Sequence, residues 1–278
     1  MPDSASPSAA AATHDFSDRL ALVTGASRGL GYAVAEALAA AGAHVLIASR
    51  KAEACAEVAA AINAADLAGS AEGFGGNVGS AEGIEALISA VQQRTGALHI
   101  LMNNAGRTWG MPFGIFPYDA WEKVMALNVT GMFHLTQGLT DMLADTGTAD
   151  DPARVVNVGS VMGEVPMGDG AYSYSVSKSG VHHMTRILAK ELGPRHITVN
   201  ALAPGPFQSG MTDFAIGQDS DADRVAKRVP SGRIGRPEDI AACLQFLCGY
   251  GGSFITGAVI PVSGGINVST GASIFGED

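Results

Sequence analysis

LALVTGASRGLG, residues 20–31, runs from an apolar stretch through a glycine-rich turn into an alanine-rich segment. Its first part shows no apolar/polar alternation, so it reads as a strand covered on both faces, as strands of parallel sheets are. Gly25 stops it. From Gly29 the apolar residues recur at helical spacing until a second glycine stop at Gly42, which predicts a helix. The same pairing repeats along the chain. HVLIAS (44–49) reads as a strand and Lys51–Leu67 as a helix; EGFGGNV (72–78) is a weaker strand diluted by glycine, before a helix over Ala81–Gln93. LHILMNN (98–104) precedes a long helix at Tyr118–Leu143, and RVVNVGS (154–160) precedes one at Tyr174–Leu192. ITVNALA (197–203) is the next strand, Pro237 opens a helix from its first turn, and AVIPVSGG (258–265) closes the series. Alternation this strict predicts one α/β domain, a doubly wound parallel β-sheet with helices on both faces.

Composition agrees with a packed globular chain: of 278 residues, 47% are hydrophobic and 16% charged. The formal charge of −10 repels phosphate backbones and anionic lipid, which argues against nucleic acid and membrane surfaces as partners. Any anionic ligand must be met by local cations. Cys55, Cys243 and Cys248 lack metal-ligand spacing and read as reduced thiols. No apolar run approaches the roughly 18 residues of a membrane span. The opening MPDSASPSAAAATHD has neither a basic n-region nor a leucine-rich core, so residues 1–18 read as a loose tail and not as a secretory leader. The expected compartment is cytoplasmic, and the expected domain spans residues 19–278. Two stretches break the rhythm: a polar loop at Asp145–Pro152, and the long connection Pro204–Pro237, of which about 205–236 reads as a lid.

The motifs fall at strand ends. In TGASRGLG, Gly25, Gly29 and Gly31 let backbone approach a pyrophosphate, while the helix start offers N–H groups and the positive end of its dipole. The spacing departs from G-x-G-x-x-G, and an ordinary glycine turn is the plain alternative. NNAG (103–106) ends the fourth strand, where open parallel sheets bind ligands; its residues can hold a cofactor ring or brace neighbouring strands. Ser160 closes the fifth strand and can meet a substrate oxygen, although a lone serine there is usually a turn residue. Asn128 sits in a helix that asparagine disfavours, either on the surface or at a functional irregularity. In YSYSVSK (172–178), a helix sets Tyr174 and Lys178 on one face and leaves Tyr172 outside the pair.

In this order and at these strand ends, the glycine turn, NNAG, the asparagine of ALNV, the serine of VGS, the Tyr-x-x-x-Lys pair and the later APG resemble the short-chain dehydrogenase/reductase family. The likeness covers about Leu20–Val268. HHMTRILAKEL, ITVNALAPG, RIGRPEDIA and GAVIPVSGG look most like 3-oxoacyl-[acyl-carrier-protein] reductases. The resemblance implies a Rossmann-like fold and a catalytic set of Asn128, Ser160, Tyr174 and Lys178. It also implies a nicotinamide dinucleotide lined by Gly25, Ser27, Arg28, Gly29, Leu30, Asn104, Ala105 and Gly106, and by Pro204 and Gly205 of the APG. Ser209 stands five residues after Pro204, where the family usually has a threonine on the carboxamide. Two departures stand out: Asn77 replaces the common aspartate at the adenine, leaving that contact to its amide and to Val78, and Ser263 replaces the aspartate frequent before the final Gly-Gly.

On that reading Tyr174 protonates the developing alkoxide, Ser160 holds the oxygen, Lys178 binds ribose hydroxyls and Asn128 positions a water that resupplies the proton. A tyrosine with a usual pKa of about 10 needs roughly 4 kcal/mol to fall by about three units. An ammonium about 4 Å away supplies that order at an effective dielectric near 20, so Lys178 is expected to depress Tyr174. The second strand ends in IASRK. Ser49 stands where an NAD site carries an acid, and Arg50, with Arg28 from the turn, suits a 2′-phosphate, so the expected cofactor is NADP(H).

The expected substrate is a small ketone or secondary alcohol, with 3-oxoacyl thioesters included. A sugar, polyol or steroid alcohol dehydrogenase is the alternative, and after it a non-catalytic dinucleotide-binding regulator. Gly110, Met111, Phe113, Phe116, Met162, Met167 and Phe207 suggest apolar pocket walls. Val181, Met184 and Leu188 form one stripe of a helix that in this family joins a four-helix interface, so a homotetramer is expected unless the stripe faces the sheet. Asp219, Asp221 and Asp223 imitate a calcium loop, but Arg224 stands in place of its glycine; the adjacent His182 and His183 point to different faces, and no metal site is expected.

Overall fold

The computed structural model describes residues 15–167, 170–207 and 219–269; Ser209, residues 1–14 of the expected tail and residues 208–218 of the expected lid lie outside them. The strands are β1 Leu20–Thr24, β2 His44–Ser49, β3 Ser70–Gly75, β4 Ile100–Asn103, β5 Ala153–Val158, β6 Ile197–Pro204 and β7 Val259–Val262. They form one sheet in the order β3-β2-β1-β4-β5-β6-β7, every neighbour parallel. The helices are α1 Gly29–Ala40, α2 Ala52–Ala64, α3 Ala81–Arg94, α4 Tyr118–Met125, α5 Met132–Ala144, α6 Tyr172–Leu192, α7 Asp219–Ala226 and α8 Pro237–Cys248. The strand order reverses between β1 and β4, which opens a crevice beyond their carboxyl ends.

Alternate side chains of a strand point to opposite faces, so each inner strand feeds two cores. Leu22 and Leu46 pack with Leu87 of α3, Leu135 of α5 and Leu188 of α6; Val23 and Ile47 pack with Val34 and Leu38 of α1 and Leu244 of α8. The unbroken apolar runs of the sequence follow from this. The glycines of β3 have a packing role that composition alone conceals. A Cβ on Gly73 would clash with the Cys55 carbonyl, so α2 lies directly on the strand. The strand accordingly starts at Ser70 and ends at Gly75, short of the expected residue 78.

Three expectations are corrected and one is given detail. Residues 15–18 belong to the packed domain: Phe16 is only 2% exposed and its N–H bonds the Ala41 carbonyl at 2.7 Å. One aromatic anchor among small polar residues was too weak a signal to separate from the tail. The long helix at Tyr118–Leu143 is interrupted by a π-turn over Ala126–Gly131, with Asn128 inside it. The Pro204–Pro237 connection carries a helix, α7, whose sequence DSDADRVA has no apolar periodicity to announce it. The Val181–Met184–Leu188 stripe faces the sheet, since Val181 and Leu188 are buried and Met184 packs on the core beneath α6.

The Asp145–Pro152 loop is polar for a structural reason as well. Asp151 pairs with Arg19 and with the buried Arg154, at 3.3 Å for the latter. Arg154 in turn donates to the Leu247 and Gly249 carbonyls at 3.2 and 3.3 Å, which satisfies the last turn of α8.

Candidate active site

The crevice is built by polar bracing of β1 against β4. Gly25 has φ +67°, and a Cβ on it would sit 2.9 Å from the Ala105 Cα, so only glycine fits the turn. Gly31 is required for contact and not for torsion: a Cβ there would clash with the Asn104 amide. Asn104 Nδ2 donates to the Thr24 and Gly25 carbonyls at 2.8 and 3.1 Å, while Thr24 Oγ1 accepts the Asn104 and Ala105 N–H groups. Of the two roles open to NNAG, strand bracing is plainly realised. Its first residue continues the theme, with Asn103 Nδ2 donating to Thr136 Oγ1 and Asn157 Oδ1, both at 2.9 Å. Asn157 Nδ2 then donates to Thr185 Oγ1 at 3.0 Å, tying β5 to α6.

Above these strand ends lies a cavity of about 380 Å³. Its walls bring together the expected nucleotide residues Gly25, Ser27, Arg28, Gly29, Leu30, Ser49, Arg50, Asn77, Val78, Asn104, Ala105, Gly106, Pro204 and Gly205, and also Ser160, Tyr174 and Lys178. Asn128 is not on the wall. Phe207, expected at the substrate, lines this cavity instead, and Lys51, Leu87 and Leu127 line it without having been foreseen. Lys51 was legible as the second cation of IASRK; nothing in the local sequence singles out the two leucines.

At the β2 end, Ser49 Oγ accepts the Lys51 N–H at 3.2 Å and the Cys55 thiol at 3.1 Å, so the hydroxyl shapes its own turn. Arg28 and Arg50 are exposed, and neither forms an ion pair among the described residues. Two unpaired guanidinium groups on a chain of charge −10 mark this end of the cavity as an anion site. Asn77 Oδ1 accepts the Gly79 N–H at 3.0 Å, which commits the amide oxygen to a local turn.

At the other end, Tyr174 and Lys178 stand one turn apart on α6, and Ser160 lines the same cavity wall. Ser160 Oγ also accepts the Met162 N–H at 3.2 Å. The lysine does not activate the phenol as expected. Burial pushes the Tyr174 pKa up, and the hydrogen bond from Ser160 offsets this only in part. The Lys178 ammonium lies 5.5 Å from the phenol ring centre and donates to the Val158 carbonyl at 2.6 Å, while burial lowers its own pKa to about 8. A hydrated charge about 4 Å from a phenolate would depress it, but here both groups are desolvated. At neutral pH the phenol therefore stays protonated, the state a proton donor needs.

Asn128 is buried inside its π-turn, a device common at functional sites. Its Nδ2 donates to the Arg107 carbonyl at 3.0 Å and to Ser177 Oγ at 2.9 Å, and its Oδ1 accepts the Arg107 N–H at 2.9 Å. Both amide hydrogens are thus committed to clamping the segment after β4 onto α6. Ser177 passes the clamp on, donating to the Tyr174 carbonyl at 2.7 Å.

Tyr172 belongs elsewhere. Its ring meets those of Phe113 and Phe116 edge-on, at 5.8 and 5.6 Å. With Trp121 and Val176 these line a second cavity of about 840 Å³; Gly110, Met111, Met162 and Met167 line neither space. Among the described residues no cluster of His, Cys, Asp or Glu is placed to hold a metal ion, and no helix is long and apolar enough to cross a membrane.

The sequence family described as Enoyl-(Acyl carrier protein) reductase matches residues 25–267. The chain is 43% identical over 250 residues to the rhamnolipids biosynthesis 3-oxoacyl-[acyl-carrier-protein] reductase of Pseudomonas aeruginosa, covering 90% of this chain and 96% of that protein. It is 32% identical over 249 residues to a gluconate 5-dehydrogenase of Gluconobacter oxydans, covering 90% and 94%. A solved structure, the Pseudomonas aeruginosa RhlG/NADP active-site complex, superposes with a TM-score of 0.88 at 42% identity, covering 92% of this chain and 98% of that one. With the doubly wound sheet and the crevice already in place, these matches establish that the chain belongs to the short-chain dehydrogenase/reductase family of oxidoreductases acting on CH–OH and C=O groups.

Proposed function

We propose that the protein reduces a ketone to a secondary alcohol with NADPH at the Tyr174–Ser160 pair, and that 3-oxoacyl thioesters are its substrate class. The observation that carries this is the gathering of Ser160, Tyr174 and Lys178 on the wall of one cavity whose far end holds Arg28 and Arg50. An NADP(H) fits those residues: the glycine turn leaves room at the α1 N-terminus for a pyrophosphate, and the two guanidinium groups suit a 2′-phosphate. The bound nicotinamide supplies the hydride. Tyr174 supplies the proton from its neutral phenol, Ser160 holds the developing oxyanion, and Lys178 reaches the ribose once it leaves the Val158 carbonyl. Asn128 acts chiefly by keeping α6 and the Arg107 segment in register.

The relative from Pseudomonas aeruginosa named a 3-oxoacyl reductase favours the thioester reading, and the one named gluconate 5-dehydrogenase keeps a polyol reading open. Two facts weigh against a non-catalytic regulator: Tyr174 and Lys178 are both present, and Ser160 lines the same cavity wall. NADPH oxidation against a panel of 3-oxoacyl thioesters, simple ketones and 5-ketogluconate separates the readings. Turnover with thioesters is the expected result, ketogluconate alone moves the assignment to polyols, and silence across the panel would leave the regulator.

We also propose a homotetramer, now on different residues. Tyr118, Val176 and Ile187 are 80%, 48% and 49% exposed on α4 and α6, apolar surface of the kind that subunit contacts cover. Light scattering at micromolar concentration should give four times the chain mass, and a monomer mass would refute the assembly.

A further inference from the structure

We propose that His182 is a positioning residue, holding Ser160 in register with Tyr174 by accepting the Ser160 backbone N–H. The proposal rests on the reading above, in which Ser160 and Tyr174 act as a pair. Ser160 N–H meets His182 Nε2 at 3.3 Å, and the imidazole is 3% exposed. The serine segment is shaped around that ring. A Cβ on Gly159 would clash with Nε2, and one on Gly163 would sit 2.9 Å from Cε1, so the segment closes on the imidazole from both ends.

Position adds the mechanical argument. Tyr174, Lys178 and His182 follow one another at four-residue intervals on α6 and so share a stripe. Lys178 donates to the Val158 carbonyl at 2.6 Å, Ser179 Oγ to the Gly163 carbonyl at 2.5 Å, and His182 takes the N–H between them. The helix that carries the phenol thus grips the segment that carries the serine at three backbone points. Of the three, His182 alone touches the serine itself. Lys178 is expected to turn to the ribose when a dinucleotide binds, which would leave His182 and Ser179 to hold the segment.

Accepting at Nε2 requires a neutral ring with its hydrogen on Nδ1, which faces Glu164 Oε1 at 3.9 Å. The surroundings enforce this: burial first, then the charges of Lys178 and Arg186, lower the His182 pKa to about 4.

The test compares His182→Leu, which fills the space without an acceptor, with His182→Gln, which restores one. Hydrogen exchange of the peptide spanning Ser160 needs no substrate. That amide should exchange at least about tenfold faster in the leucine variant and regain protection in the glutamine variant. Steady-state kinetics with the best ketone of the panel should show kcat about 10- to 100-fold lower for His182→Leu, with KM and NADPH affinity within about threefold, and substantial recovery in His182→Gln. Unchanged exchange and kcat in the leucine variant would overturn the proposal. So would a joint loss of kcat and NADPH binding that glutamine does not rescue, which is the mark of a packing residue. Ser160→Ala, run alongside, tells the two failures apart: if it keeps parental turnover, the pairing itself is wrong; if it loses turnover while His182→Leu keeps it, only the positioning role falls.

Discussion

Tyr174→Phe should lower ketone reduction by about 10²- to 10⁴-fold while NADPH affinity stays within about threefold, the range expected on losing a general acid from an otherwise intact site. The phenol shares the cavity wall with Ser160 and Lys178, and phenylalanine preserves its packing. Tyr172→Phe is the matched control. It changes a ring that stacks against Phe113 and Phe116 outside the cavity, so it should keep most of the parental rate. The sign of the pH dependence follows from burial. A phenol pKa pushed up keeps the proton on Tyr174 across neutral pH, so the reductive kcat should be flat there and fall only on the alkaline side. The reverse oxidation needs the phenolate and should climb over that same alkaline range. Parental turnover in Tyr174→Phe would remove the assignment. A reductive rate already falling between pH 6 and pH 7 would show instead that the phenol loses its proton there, with the Lys178 charge outweighing burial.

Strand placement was legible because each inner strand is covered on both faces, and an unbroken apolar run has few other uses in a chain this size. Legible too was the pairing of Tyr174, and not Tyr172, with Lys178, since helical spacing alone sets the two on one face. Electrostatics was not. Helical spacing set Lys178 beside Tyr174 but said nothing of burial, which raises the phenol, or of the Val158 carbonyl, which holds the ammonium. Asn128 raised suspicion as a poor helix former, and it does sit at an irregularity, yet its partners Arg107 and Ser177 are distant in sequence and could not be read. The Val181–Met184–Leu188 stripe shows the same limit: periodicity reports an apolar face, not what covers it. His182 is the sharpest case. Beside His183 it looked like a failed metal pair, and its acceptor role depends on a glycine-flanked serine segment more than twenty residues away.

Arg50→Ala should weaken NADPH binding by about 10- to 150-fold and leave NADH binding nearly unchanged, since each charge-assisted bond to a phosphate contributes about 1.5 to 3 kcal/mol. The end of β2 lacks an acidic residue. An acid there would accept from a ribose 2′-hydroxyl and repel a phosphate, but Ser49 is neutral and its hydroxyl is held by the Lys51 N–H and the Cys55 thiol. Arg50 follows on the cavity wall, exposed and without an ion-pair partner among the described residues, and Arg28 joins the same wall from the glycine turn. On a chain of net charge −10, cations left unpaired at one cavity end carry more information than they would on a basic protein. Lys51 tempers the expectation. It lines the same cavity, so the alanine variant keeps a nearby point charge while losing the planar fork, and the loss should deepen further in Arg50→Ala/Lys51→Ala. Arg50→Lys separates charge from geometry, because a lysine restores the first and not the bidentate fit. Steady-state kinetics with both cofactors on the parent and these variants give the answer, and equal efficiency with NADH and NADPH in the parent would overturn it.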